Sequence, residues 1–166
     1  MTNENEKVVG VEKRGRVAIV TLLRSARRNS MDQALVDGVK AALLQLDRDD
    51  GIGAIVLAGA APGFSAGSDL KFICALDLEA MGRFEQECGD LGRLIGFISK
   101  PVVAAGEMFA VGGGFTLATC CDVGVAGRGS NWSHGRMAGS PRGASSRWSR
   151  ASASSRPGFC VSALSR

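Results

Sequence analysis

Residues 100–126 read KPVVAAGEMFAVGGGFTLATCCDVGVA. Lys100-Pro101 ends the helical pattern before it, because the residue preceding a proline avoids the helical region. Val102 to Ala105 is a short apolar run of the kind that forms a buried strand. Phe109-Ala110-Val111-Gly112-Gly113-Gly114 then turns into a helix from about Phe115 to Cys121, and Asp122 to Ala126 supplies the next strand. Strand, glycine turn, helix and strand in that order make a parallel crossover, the repeating unit of an α/β protein.

The rest of the chain repeats this alternation. Residues 8–13 and 16–22 read as two strands around Arg14-Gly15. Val17, Ile19 and Thr21 alternate with Ala18, Val20 and Leu22, a density that predicts burial on both faces. Asp32 is placed to cap a helix running to about Leu46, with Leu35, Val36, Val39, Leu43 and Leu46 at three- and four-residue spacing. Ile52 to Leu57 is a strand, Gly59 to Gly67 a loop, and a helix starts near Asp69. A longer helix from about Leu78 to Ile98 carries Met81, Phe84, Cys88, Leu91, Leu94 and Ile95 on one side. The expectation is an α/β fold with a largely parallel sheet.

The 166 residues are the scale of one domain, and 45% hydrophobic with 22% charged content supplies a core without staples. No apolar run is long enough to span a bilayer, and the acidic, polar N-terminus is unlike a secretory signal. A cytoplasmic protein with no membrane association is expected. The net charge of +4 divides unevenly. Residues 1–122 hold 13 Lys and Arg against all 16 acids, a net of −3, while residues 123–166 hold seven Arg and no acid. The basic character therefore belongs to the tail, and no nucleic acid is expected as a partner. Five cysteines without a Cys-x-x-Cys pair, and a single histidine at 134, build no ordinary zinc site. No metal is expected, and the thiols read as reduced and mostly buried.

Two glycine-rich turns each open into a helix: Gly63-Phe64-Ser65-Ala66-Gly67-Ser68-Asp69-Leu70 and Gly112-Gly113-Gly114-Phe115. Each presents unpaired backbone N–H groups at a helix start, and two such turns facing one another would hold an oxygen that becomes anionic. The first also matches Gly-x-Ser-x-Gly, the elbow of serine hydrolases. That rival needs a histidine base for Ser65, and only His134 follows, in a region with no acid to orient it.

In order along the chain, these turns resemble those of the enoyl-CoA hydratase/isomerase, or crotonase, family, in its N-terminal part. The resemblance rests on Arg24-Ser25-Ala26-Arg27-Arg28-Asn29-Ser30-Met31, Phe64-Ser65-Ala66-Gly67-Ser68-Asp69-Leu70, Lys100-Pro101-Val102-Val103-Ala104-Ala105, Phe109-Ala110-Val111-Gly112-Gly113-Gly114, and Cys121-Asp122. It implies a crotonase-like spiral of ββα units, incomplete at the C-terminus, acting on an acyl-CoA thioester. Coenzyme A enters as part of the substrate, with no separate cofactor. By motif position the oxyanion-hole donors are the N–H groups of Ser68 and Gly113. The CoA and acyl contacts implied are Arg28, Ser30, Ala66, Ser68, Asp69, Leu70, Phe109, Gly112, Gly113 and Thr116. Arg24, Arg27 and Arg28 suit the phosphates of CoA. The family assembles as homotrimers or hexamers, an assembly in question for this chain.

Three departures qualify the implied activity. Thr116 stands where hydratases carry a glutamate, and a threonine hydroxyl is no base near neutral pH. Glu107-Met108 replaces an Asn-Gly, with Glu107 read as a surface charge. After Trp132-Ser133 the expected Pro-Glu gives way to a Ser-, Arg- and Gly-rich stretch without apolar periodicity. Residues 1–126 therefore read as a truncated crotonase-like domain and 127–166 as a tail, disordered or out of frame. Shifting the reading of the codons for residues 134–147 by two bases permits a family-like string, a hypothesis that the encoding DNA would settle. Little or no hydratase activity is expected. Two alternatives stand beside the enzyme reading: a non-catalytic acyl-CoA-binding remnant, and an RNA-interacting protein that uses its basic tail.

Overall fold

The computed structural model describes residues 7–133 and the backbone of 161–164. Its main sheet has six strands, in the order β1 (Val9–Arg14), β2 (Val17–Leu22), β3 (Ala54–Gly59), β4 (Val102–Gly106), β6 (Val123–Gly127) and β8 (Val161–Leu164). The β1–β2 hairpin is antiparallel and every later pairing is parallel. A short second sheet pairs β5 (Phe109–Val111) with β7 (Asn131–Ser133), also in parallel. The strands β7 and β8 both fall within the span 127–166 that the sequence sets apart as a tail. Residues 134–160, with His134, Cys160 and most of the Ser/Arg stretch, lie outside the described residues.

Helix α1 (Gln33–Asp47) starts where expected, with the Asp32 carboxylate accepting from Leu35 N–H at 3.0 Å. It buries Leu35, Val36, Val39, Leu43 and Leu46 and packs against β1 and β2. The partners in the sheet are Ala18, Val20 and Leu22 of β2, Ile55 and Leu57 of β3, and Val102 and Ala104 of β4, all fully buried. The register places them on one face, since Ala18 pairs with Ile55 and Ile55 with Val102. The opposite face of β2 does not match the expected two-sided burial. Ile19 and Thr21 are half-buried, and Val17 is exposed. β-branched residues suit the pleat on either face, so their density does not report how many faces are covered.

The short helix α2 (Leu70–Ile73) and the long α3 (Leu78–Phe97) carry the chain from β3 to β4. The latter buries Phe84, Leu91 and Ile95, with Cys88 and Leu94 half-buried beside them. Helix α4 (Gly113–Cys120) carries the chain from β5 to β6. It begins two residues earlier than the sequence reading placed it. Gly112 is its N-cap and the Thr116 N–H donates to Gly112 O at 3.1 Å, so the glycines themselves form the first turn. At its far end Asp122 joins β4 to β6, accepting from Val102 N–H at 2.8 Å through its carboxylate.

Candidate functional site

The two glycine turns meet. Val111 N–H donates to Ser65 O at 3.0 Å, Phe64 N–H donates to Phe109 O at 2.8 Å, and Ser65 forms a bridge with Ala110. Gly67 has φ +88°, and a Cβ there would lie 2.9 Å from Val111 O and 3.0 Å from Gly113 N, so both the backbone angle and the contact demand glycine. Gly114 presses against Ser65, whose carbonyl oxygen would be 2.5 Å from an added Cβ. This close approach sets Ser68 beside Gly113: the Ser68 nitrogen is 3.7 Å from a Cβ built on Gly113. Neither the Ser68 nor the Gly113 N–H donates a hydrogen bond among the described residues.

Behind the first turn lies a polar frame that the sequence motif contains but does not explain. Asn29 is fully buried with φ +52°. Its amide nitrogen donates to Ala60 O at 2.7 Å and Gly63 O at 2.8 Å, and its Oδ1 accepts from Arg24 N–H at 3.0 Å. The loop that follows runs beside the turn: Ala66 N–H donates to Arg28 O, Met31 N–H to Gly67 O and Asp69 N–H to Met31 O, each at 2.8–3.0 Å. The Ser65 hydroxyl donates to Asn29 O at 2.8 Å and accepts from Gly67 N–H at 3.1 Å. Buried and committed on both sides, it is a structural group and not an exposed nucleophile.

Two cavities share Ser68 and Gly113 in their walls. One, of about 810 Å³, takes in Arg27, Arg28, Ser30, Ala66, Asp69, Leu70, Lys71 and Gly112. The other, of about 690 Å³, lies between α3 and α4 and is mostly apolar, with Met31, Leu91, Phe97, Thr116 and Leu117 in its wall. It also takes in Glu85, Cys88 and Cys120. The residues singled out from sequence thus come together, with one displacement. Phe109 lines neither of the two cavities. Its ring lies against Gly63, where an added Cβ would be 2.7 Å from it, so it wedges the turn in place.

Charge is arranged differently from the sequence expectation for the arginines. Arg24 is largely buried and reaches Asp32 at 2.8 Å and Asp69 at 3.3 Å, so it braces the loops and is not offered to phosphates. Arg27 stands half-exposed, 3.4 Å from Asp69. Arg28 and Lys71 are exposed, and Lys71 is a cation in the cavity wall that the motif reading passed over. The Asp69 carboxylate accepts from the Lys71 and Phe72 N–H groups at the start of α2. Burial opposes its ionisation, but the Phe72 amide and the two guanidinium groups outweigh that and hold its pKa below the ordinary value.

The thiols are less buried than expected. Among the described residues, Cys121 is fully buried, Cys88 and Cys120 are half-buried and Cys74 is exposed. Desolvation, with Glu85 adding negative charge nearby, pushes Cys88 up to about 11, so it is a protonated, inert wall group at neutral pH. Thr116 is exposed, its hydroxyl donating to Gly112 O at 3.3 Å. Among the residues the sequence reading missed are Met31, Glu85 and Cys88. Their signal was only helical spacing or a turn position, which does not say what lies opposite.

The chain's relatives are consistent with this layout. A profile of the enoyl-CoA hydratase/isomerase family matches residues 12–145, so the likeness extends beyond Ser133, where the motif reading stops. A probable enoyl-CoA hydratase of Rhizobium meliloti is 37% identical over 118 residues, which is 68% of this chain and 43% of that protein. A mitochondrial enoyl-CoA hydratase of Pongo abelii is 34% identical over 128 residues, 74% of this chain and 43% of its own length. The crystal structure of an enoyl-CoA hydratase from Bacillus anthracis superposes with a TM-score of 0.72 at 26% identity, covering 74% of this chain and 48% of that one. The enoyl-CoA hydratase of Mycobacterium smegmatis gives 0.72 at 29% identity, covering 75% and 49%. The chain therefore spans somewhat under half the length of these relatives. With the profile covering most of its sequence and the fold shared, the chain belongs to the enoyl-CoA hydratase/isomerase family.

Proposed function

We propose that this chain binds an acyl-CoA thioester with its carbonyl oxygen between the Ser68 and Gly113 N–H groups. The observation that carries the reading is that these two amides, from different turns and unpartnered among the described residues, stand in the walls of both cavities. A CoA thioester has a polyanionic half, a carbonyl and an acyl half. The cavity bearing Arg27, Arg28 and Lys71 suits the first, and the apolar cavity between α3 and α4 suits the last. Amides aimed at the carbonyl stabilise it most when negative charge develops on the oxygen, so the site favours an enolate. Gly113 is also the first residue of α4, where the helix dipole adds to the same effect.

Addition of water across a double bond is less well served. The family position for one glutamate is Thr116, which holds its hydroxyl to a backbone carbonyl. Enolisation or isomerisation of a bound thioester fits this site better than hydration. Binding without turnover is the second reading, favoured by the same Thr116. Assembly with further copies accompanies the proposal by family likeness. The RNA-interaction alternative concerns residues outside those described.

The test is a comparison of ligands. Butyryl-CoA and its thioether analogue, which lacks the carbonyl oxygen, differ only at the atom the two amides would hold. Two net hydrogen bonds are worth about 1–3 kcal/mol, so the thioether should bind roughly 5- to 150-fold more weakly by calorimetry. Equal affinities would remove the amides from the account.

A further inference from the structure

The cavity between α3 and α4 carries one carboxylate in its wall, Glu85. Helix α3 leads into β4 and α4 into β6, neighbouring parallel strands that start at the same edge of the sheet with Val103 opposite Val123; α3 sets out after the far end of β3, and α4 from Gly113 beside the turn that follows β3, so the two helices run in the same direction. They touch where Gly92 faces Cys120: a Cβ on Gly92 would lie 2.9 Å from the Cys120 sulfur. Two turns back toward each N-terminus, about 10 Å at 1.5 Å per residue, stand Glu85 on α3 and Gly113 on α4. Glu85 is thus level with the amide pair, in the wall of the cavity that Ser68 and Gly113 also line.

The neighbouring acids show that this carboxylate is held differently. On α3, Glu79 pairs with Arg83, Glu87 with Lys40 and Asp90 with Arg93. Glu85 makes no ion pair among the described residues. Of the carboxylates in the walls of the two cavities, the other is Asp69, which Arg24, Arg27 and the start of α2 already occupy. Glu85 and Glu107 are both exposed, but Glu107 lies against Gly127, away from both cavities, whereas Glu85 stands in the wall of one.

We propose that Glu85 is the proton-transferring residue of this site, taking the α-proton of the bound thioester and returning it. The inference rests on the thioester reading above. An oxygen of Glu85 forms a bond to the α-hydrogen as the Cα–H bond breaks. The released electron pair becomes the Cα=C bond of the enolate, and the carbonyl π pair moves onto the oxygen held by Ser68 and Gly113. Return of the proton to Cα restores the thioester, and return to Cγ of an unsaturated chain isomerises it. No oxidant, metal or further reactant enters.

The experiment follows α-proton exchange of butyryl-CoA in D2O by NMR, with calorimetry of butyryl-CoA binding on the same samples. The full chain is compared with E85Q and E107Q. The wild type is expected to bind and exchange. E85Q should keep its Kd within threefold and lose exchange by 10²–10⁴-fold, the contribution of a positioned base. E107Q should keep exchange within twofold. Exchange in E85Q within threefold of wild type overturns the assignment, as does an equal loss in E107Q. E85Q losing binding together with exchange makes Glu85 a structural group and also overturns it. Wild type that binds without exchanging overturns the role of Glu85 and leaves thioester binding standing. Wild type that fails to bind overturns the thioester reading, and this inference with it.

Discussion

Asp69 shows how one side chain in the cavity wall also holds its neighbours in place. It is buried, yet held ionised by the Phe72 amide and by Arg24 and Arg27, so its pKa is lower in the folded chain than in the unfolded one. Such a group stabilises the fold fully above the unfolded carboxylate pKa of about 3.9, and the contribution is lost as pH falls through the lower folded value. D69N should therefore cost about 2 kcal/mol in urea melts near pH 7. The difference from wild type should shrink as the pH drops below about 4, and a gap independent of pH would contradict the charge argument. Neither this role nor that of Arg24 was legible in sequence. Arg24 read as a phosphate ligand because a basic loop looks the same whether or not acids from Asp32 and Asp69 fold over it. Asn29 was visible as part of a motif, but its two donors close on Ala60 and Gly63, which no spacing rule brings near.

At the scale of elements, what is local was readable. Asp32 announces α1, Lys100-Pro101 announces the end of α3, and apolar periodicity marks the buried side of each helix. Lys100 goes further than its motif suggests, since its ammonium donates to Leu46 O and Asp49 O, close to the end of α1. The opposite side of α3 was not readable. Gly89, Gly92 and Gly96 look like helix weaknesses, and only the packing of α4 across from them shows that they leave room for the cavity. Gly89 permits a direct check, because a Cβ there meets nothing nearer than the Arg93 guanidinium at 3.9 Å. G89L should leave the fold at least as stable, by about 0.5–1 kcal/mol from helix propensity. It should also weaken octanoyl-CoA at least tenfold more than acetyl-CoA, a difference of about 1.4 kcal/mol. Equal effects on both ligands would mean that the acyl chain does not enter between α3 and α4.

The described residues form a mostly parallel sheet with one well-buried face, and helices α3 and α4 frame a cavity whose wall includes the Ser68 and Gly113 amides, unpartnered among those residues. The strand-helix alternation predicts that sheet, and the glycine turns predict the amides. The half-exposed outer face of β2 was missed because burial on that side is set by what packs there, not by the residues of the strand. No helix among the described residues is long and apolar enough to cross a membrane. The central claim is that Ser68 and Gly113 act together on one carbonyl oxygen, and difference infrared spectroscopy of bound butyryl-CoA, labelled with ¹³C at the thioester carbon, reads that oxygen directly. Two N–H donors should shift the carbonyl band to lower frequency than in free butyryl-CoA. A ligand bound at saturation with its carbonyl band unmoved would contradict the account.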